Sequence, residues 1–422
     1  MRQLAFTLLG DVHPRSVDVV LDRAVQYIRL HRTVIGQDEK AGFGHAVARA
    51  DAPALAAASR RFDPGPGHAA GMKEYTMDAR EQLQATVDSL VQAGKGILAV
   101  DESAPTIAKR FKSIGVESTE ESRRAYRSLL LATPGLGAYI SGVILYEETL
   151  AQRADDGTPL PELAARLGLV PGIKVDVGKI ALAHAPGDEI TQGLDGLAKR
   201  LADYKGQGAR FAKWRAVYNV SGTLPSRLAI EANADALARY AAICQDEGVV
   251  PIVEPEVLMD GGHTLERCAE VTEAVLHEVF AALHRHRVAL EHMFLKPSMV
   301  VAGKKQAQQA PVADVAAQTV RVLRRTVPAA VPGIFFLSGG QTPAEATVHL
   351  DAMNRLAPQP WGLSFSYGRA LQEPVLQAWK GQAVNARSAQ DALLEQARLN
   401  GAACEGRYDP AMEAAGRQRP AK

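Results

Sequence analysis

The sequence predicts an α/β fold, a (β/α)₈ barrel of the TIM type with an extra N-terminal extension. Three observations carry this. Eight short apolar runs recur after residue 77, their starts roughly 28 to 46 residues apart, which is one strand plus one crossover helix. Between them lie stretches such as 225–247 and 265–284, whose apolar residues recur at three and four, the period of a helix with one buried face. Each run also closes on charged or small polar residues, at the strand ends where a barrel carries its chemistry. A doubly wound open sheet is the rival, but no glycine-rich GxGxxG turn follows the first run.

In chain order the runs are Gly96–Val100, Gly142–Tyr146, Gly172–Val175, Phe211–Trp214, Val249–Val253, Met293–Leu295, Gly333–Leu337 and Trp361–Phe365. A tail begins at about residue 400. Residues 1–71 read differently. They hold one amphipathic segment, with Val17, Leu21, Val25 and Ile28 at helical spacing, and end in the breaker run Pro64-Gly65-Pro66-Gly67. They are expected to be a weakly structured extension or a misassigned start, with residues 72–422 forming the barrel and Met72 or Met77 a natural beginning.

Composition narrows the function classes. Of 422 residues 47 % are hydrophobic and 23 % charged, enough for a large buried core. The 48 Lys+Arg against 47 Asp+Glu leave no global basic field to attract nucleic acid or an anionic membrane. Apolar stretches fall short of the ~20 residues that span a bilayer. Cys244, Cys268 and Cys404 make no CxxC pair, so a reducing, cytoplasmic setting is expected. Within the barrel region His277, His284, His286 and His292 cluster on one helix and the connection after it, away from the strand ends, so no metal site is expected.

The polar residues at these strands are Asp101 and Glu102 after the first run, Lys174 within the third, Lys213 and Arg215 in the fourth strand, and Glu254 and Glu256 after the fifth. Lys296 closes the sixth, Ser338-Gly339-Gly340 the seventh, and Ser366 with Arg369 the eighth. Burying so many ions for stability alone would cost several kcal/mol per unpaired charge, whereas charges arranged around a polyanion explain them. A lysine desolvated among cations loses its proton more readily. Its amine can add to a ketone and expel water with help from a glutamate. The resulting iminium is an electron sink for C–C cleavage once a base, for which Asp101 is a candidate, takes a hydroxyl proton. The Ser-Gly-Gly turn offers backbone N–H groups to a phosphate, and Arg369 offers a forked cation. Residue chemistry alone therefore reads as a Schiff-base lyase acting on a phosphorylated ketose.

The stretches Lys95-Gly-Ile-Leu-Ala-Val-Asp-Glu-Ser103, Phe211-Ala-Lys-Trp-Arg215, Val250-Pro-Ile-Val-Glu-Pro-Glu256, Leu295-Lys-Pro297, Phe336-Leu-Ser-Gly-Gly-Gln341 and Phe365-Ser-Tyr-Gly-Arg-Ala-Leu371 resemble class I fructose-1,6-bisphosphate aldolase, collinearly over about 77–408. The resemblance implies reversible cleavage of fructose 1,6-bisphosphate to dihydroxyacetone phosphate and glyceraldehyde 3-phosphate in glycolysis and gluconeogenesis, without metal or other cofactor, by a cytoplasmic homotetramer. It implies Lys296 as the Schiff-base lysine and Glu254 as acid/base with Glu256 beside it. Asp101 falls on the carboxylate of C3–C4 cleavage, and Lys213 lies near the reacting carbons. Ser338, Gly339, Gly340, Ser366, Gly368 and Arg369 fall on the binding positions for one phosphate. Lys174, Ser103, Thr106 and Arg110 lie around the other, and Arg215 joins the binding set. The chain departs from the family at Pro105, which is expected to stiffen the loop after the first strand, and at Ser298. Val177 replaces a lysine, removing a charge near that rim. The sequence ends Arg419-Pro-Ala-Lys422, without the family's terminal tyrosine. An inert scaffold or a transaldolase-like enzyme on the same barrel are the competing readings.

Overall fold

The computed structural model describes residues 77–413. The amphipathic segment at 17–28, the 1–71 extension and the last nine residues lie outside the described residues.

The eight barrel strands are β1 (Gly96–Val100), β2 (Ile140–Leu145), β3 (Val170–Lys174), β6 (Phe211–Tyr218), β7 (Val250–Val257), β8 (Phe294–Leu295), β9 (Gly333–Phe336) and β10 (Gly362–Tyr367). All pair in parallel, and the ring closes where β1 meets β10, with Ile97 opposite Ser366 and Leu98 opposite Tyr367. The expected (β/α)₈ barrel is what the chain forms. Helix α1 (Met77–Leu90) precedes the first strand; the helices after it are α2 (Ala104–Lys112), α3 (Glu120–Leu131), α4 (Glu147–Ala151), α5 (Leu160–Arg166), α6 (Leu197–Gly206), α7 (Arg227–Asp246), α8 (Leu265–Arg285), α9 (Val312–Thr326), α10 (Pro343–Asn354), α11 (Arg369–Trp379) and α12 (Ala386–Cys404).

The inside of the barrel is filled from below. On α1, Leu83, Val87 and Leu90 recur at four and three, so they share one face. That face packs against the inward side chains Ile97, Ala99, Ile144, Phe211, Ile252, Phe294 and Phe335. The crowding explains Gly172, because any Cβ there would collide with the Phe211 ring. With this end plugged by hydrocarbon, polar side chains can converge only at the opposite, C-terminal end of the strands.

Boundaries differ from the sequence reading where charge enters a strand. β6 and β7 each run eight residues, β6 through Lys213 and Arg215, as expected, and β7 through Glu254 and Glu256, which the apolar run Val249–Val253 places after the strand. A ninth and tenth strand, β4 (Lys179–Ala181) and β5 (Glu189–Thr191), form a two-stranded hairpin beside the ring. Nothing in the sequence reading anticipates it, since Lys179, Ile180 and Ala181 are all exposed and show no alternation. The loop expected to be stiffened by Pro105 is helical. Pro105 sits in the first turn of α2, where a missing N–H costs nothing.

Candidate active site

A cavity of about 410 Å³ opens at the C-terminal end of the barrel. Every site residue expected from the sequence lines it except Gly340: Asp101, Ser103, Thr106, Arg110, Lys174, Lys213, Arg215, Glu254, Glu256, Lys296, Ser338, Gly339, Ser366, Gly368 and Arg369. The Gly340 N–H points instead at Met259 Sδ, 3.2 Å away.

Alternation along β6 and β7 sets the centre. Residues two apart on a strand share a face, so Lys213 with Arg215, and Glu254 with Glu256, project into the same space. Parallel pairing puts Arg215 opposite Glu254. Lys296 follows the two-residue β8 and is held by its backbone N–H donating to the Val253 carbonyl at 2.8 Å.

The two buried lysines have different surroundings. Lys213 Nζ lies 2.6 Å from Asp101 Oδ2, 3.2 Å from Glu254 Oε2 and 4.0 Å from Asp176 Oδ2. Burial alone would lower its pKa, but the charges of Asp101, Glu254 and Asp176 outweigh that and raise it well above the ordinary lysine value. Lys213 is thus a fixed ammonium among carboxylates, unlike the lysine lowered by neighbouring cations that residue chemistry led us to expect. Lys296 Nζ meets one carboxylate, Glu254 Oε1, at 3.2 Å. Glu254 therefore stands between the two amines, one oxygen toward each. Burial pushes the Asp101 carboxyl up, while Lys213 and then Lys296 more than offset it and hold the group well below the usual carboxylate range.

On the β1/β3 side, Lys174 Nζ pairs with Asp176 Oδ1 at 2.7 Å and Arg110 with Glu102 at 2.5 Å. Glu102 also accepts from Gln372 Nε2 at 2.7 Å. Ser103 Oγ and Thr106 Oγ1 share a hydrogen bond of 3.1 Å at the start of α2. Arg215 pairs with Glu256, whose charge and hydrogen bond raise the guanidinium pKa against the lowering effect of burial. Eight further residues line the cavity: Ala99, Glu102, Asp176, Gly178, Lys179, Thr191, Val217 and Leu337. Of these, Asp176 escapes the sequence reading, and its place two residues after Lys174 is the signal that points to it. Lys179 places a cation on the rim that Val177 leaves without one.

On the β9/β10 side, Gly339 adopts φ +55°, a left-handed turn open to glycine. Arg369 opens α11 directly after Gly368, so a helix N-terminus with its partial positive charge faces the cavity. Arg369 makes no ion pair among the described residues, and the buried Ser366 Oγ has no hydrogen-bond partner there. A phosphate would satisfy both.

Among the described residues no group of His, Cys, Asp and Glu is arranged to hold a metal ion. After α8, His286 Nε2 meets Asp235 on α7 at 2.9 Å and His292 Nε2 meets Gln84 on α1 at 3.2 Å.

The family model for class-I fructose-bisphosphate aldolase matches residues 82–420. The chain belongs to the class I fructose-bisphosphate aldolases. It is 54 % identical over 329 residues to a probable fructose-bisphosphate aldolase class 1 of Xanthomonas campestris pv. campestris, covering 78 % of this chain and 98 % of the relative. The cytoplasmic isozyme of Spinacia oleracea is 52 % identical over 338 residues, 80 % of this chain and 94 % of its own. The aldolase of Plasmodium falciparum, solved in complex with TRAP and a small-molecule inhibitor, superposes with a TM-score of 0.78 at 50 % identity, covering 79 % of this chain and 96 % of that one. Aldolases of this class are carbon–carbon lyases that cleave fructose 1,6-bisphosphate reversibly through a lysine Schiff base, and no helix among the described residues of this one is long and apolar enough to cross a membrane.

Proposed function

We propose that Lys296 is the imine-forming amine of this aldolase, and that Glu254, Lys213 and Asp101 manage its protons. The observation that carries the assignment is the contrast between the lysines: Lys213 is held as an ammonium by three carboxylates, while Lys296 faces the one carboxylate that can exchange a proton with it. In its unprotonated form Lys296 Nζ adds to the ketose C2, and the oxygen of the resulting carbinolamine leaves as water with a proton from Glu254. Asp101, ionised beside Lys213, takes the C4 hydroxyl proton. The C3–C4 bond then breaks, its electron pair moving into the enamine on Lys296, and glyceraldehyde 3-phosphate departs. Protonation of C3 and hydrolysis release dihydroxyacetone phosphate. Glu256 fixes Arg215 at the cavity wall.

The bisphosphate is the better substrate because the cavity carries two sets of cations and polar donors. Ser338, Gly339, Ser366, Gly368 and Arg369 take one phosphate; Ser103, Thr106, Arg110 and Lys174 take the other. Gly340 shapes the turn behind the first.

Borohydride with dihydroxyacetone phosphate should label Lys296, and Lys296→Met should take up no label. Equal labelling of that variant would overturn the assignment. Activity is expected to survive EDTA. By likeness to the family, and to the cytosolic isozymes in particular, we assign a homotetramer in the cytosol, testable as a sedimentation mass four times that of the chain. Residues 1–71 precede the family match that begins at 82, and 72–422 alone is expected to keep the full kcat.

A further inference from the structure

The geometry points to Asp176 as a positioning residue that joins the cleavage ammonium to the phosphate wall. Its carboxylate is nearly buried and uses both oxygens. Oδ1 meets Lys174 Nζ at 2.7 Å; Oδ2 accepts the Arg215 N–H at 3.3 Å and faces Lys213 Nζ at 4.0 Å. One side chain on the β3–β4 connection therefore touches a rim lysine, the central lysine and the backbone of the strand carrying Arg215.

The segment bearing Asp176 is itself pinned. Val175 N–H donates to the Lys213 carbonyl at 3.1 Å, and Val177 N–H to the Gln192 carbonyl at 3.0 Å. Arg200 donates to the carbonyls of Val175, at 2.9 Å, and Gly193. Gly193, at φ +125°, packs so closely that a Cβ would stand 3.2 Å from both Val175 O and Val177 N. Neutralising Lys213 does not require a third carboxylate, since Asp101 and Glu254 already flank it. What Asp176 adds is direction. It draws Lys213 toward β3 and holds Lys174 at a fixed distance from it, so the phosphate contact and the cleavage centre keep one spacing.

This inference rests on the roles proposed above for Lys213 and Lys174, and its test separates the two levels. Borohydride trapping at Lys296 in the wild-type protein tests the underlying reading. Asp176→Asn should then keep the trapping yield and the melting temperature while kcat falls roughly 10- to 100-fold, the size of one charge-assisted hydrogen bond. KM should rise for fructose 1,6-bisphosphate more than for a ketose monophosphate. Asp176→Glu, which keeps the charge but displaces it, should fall between the two and serves in its place if the Asn variant does not fold. Wild-type kcat in whichever variant folds would overturn the proposal. So would trapping, kcat and melting temperature falling together in that variant, which is what a merely structural residue gives.

Discussion

On the β1, β3, β6 and β7 side of the cavity the cations already have partners: Arg110 has Glu102, Lys174 has Asp176, Lys213 has Asp101 and Arg215 has Glu256. On the β9 and β10 side Arg369 has no ion pair and Ser366 Oγ no hydrogen bond among the described residues. The difference separates two kinds of dependence. Removing a cation from the first side strands a buried carboxylate, so the loss falls first on folding stability. Removing one from the second strands nothing until substrate arrives, so the loss falls on binding.

Lys213→Met should produce the largest effect, a destabilisation of about 3–5 kcal/mol, because Asp101 and Glu254 are left buried together. Chemical denaturation measures it, and an unchanged midpoint would break the comparison. Arg369→Ala should leave that midpoint in place and raise KM by roughly 10- to 100-fold, about 1.5–3 kcal/mol for one charge-assisted contact. Steady-state kinetics with a parallel melting curve would show whether the loss is in binding alone.

Asp101 sharpens the comparison through pH. Its carboxyl is held below the usual range in the fold, so its contribution to stability is complete above the unfolded-state value near ~3.9 and declines as pH falls below it. Asp101→Asn should therefore flatten the acid limb of the melting-temperature profile below about pH 4; an unaltered limb would count against the Lys213 pairing. The smallest effect belongs to Lys179→Gln. Its pair with Glu189 is 2.5 Å long but 39 % exposed on the lysine side, so less than about 1 kcal/mol is at stake in either assay.

How much of this was legible in the sequence depends on what each residue does locally. The eight strands stand out because buried parallel strands are continuous apolar runs. The mouth-ward end of β7 does not, since Glu254 and Glu256 interrupt the apolar pattern while staying in the ladder. Asp176 was missed because attention to the last residue of each run skips a carboxylate that turns back from the following connection. Lys179 was missed with its hairpin, whose three exposed residues carry neither period. Gly340 was placed in the cavity by its motif, yet its N–H is taken by Met259 Sδ, a partner 81 residues away that no local pattern reveals.

The ring closes through Ser366, which lies opposite Ile97 at the β1–β10 seam and also faces the cavity. The pocket is therefore incomplete until that seam is made. Until the last strand finds the first, Asp101 and Ser366 belong to unconnected edges, and the cradle beside Arg369 lacks its second wall. The joint that completes the fold is the one that completes the catalyst, so recovery of catalysis during refolding should track seam formation rather than collapse of the core.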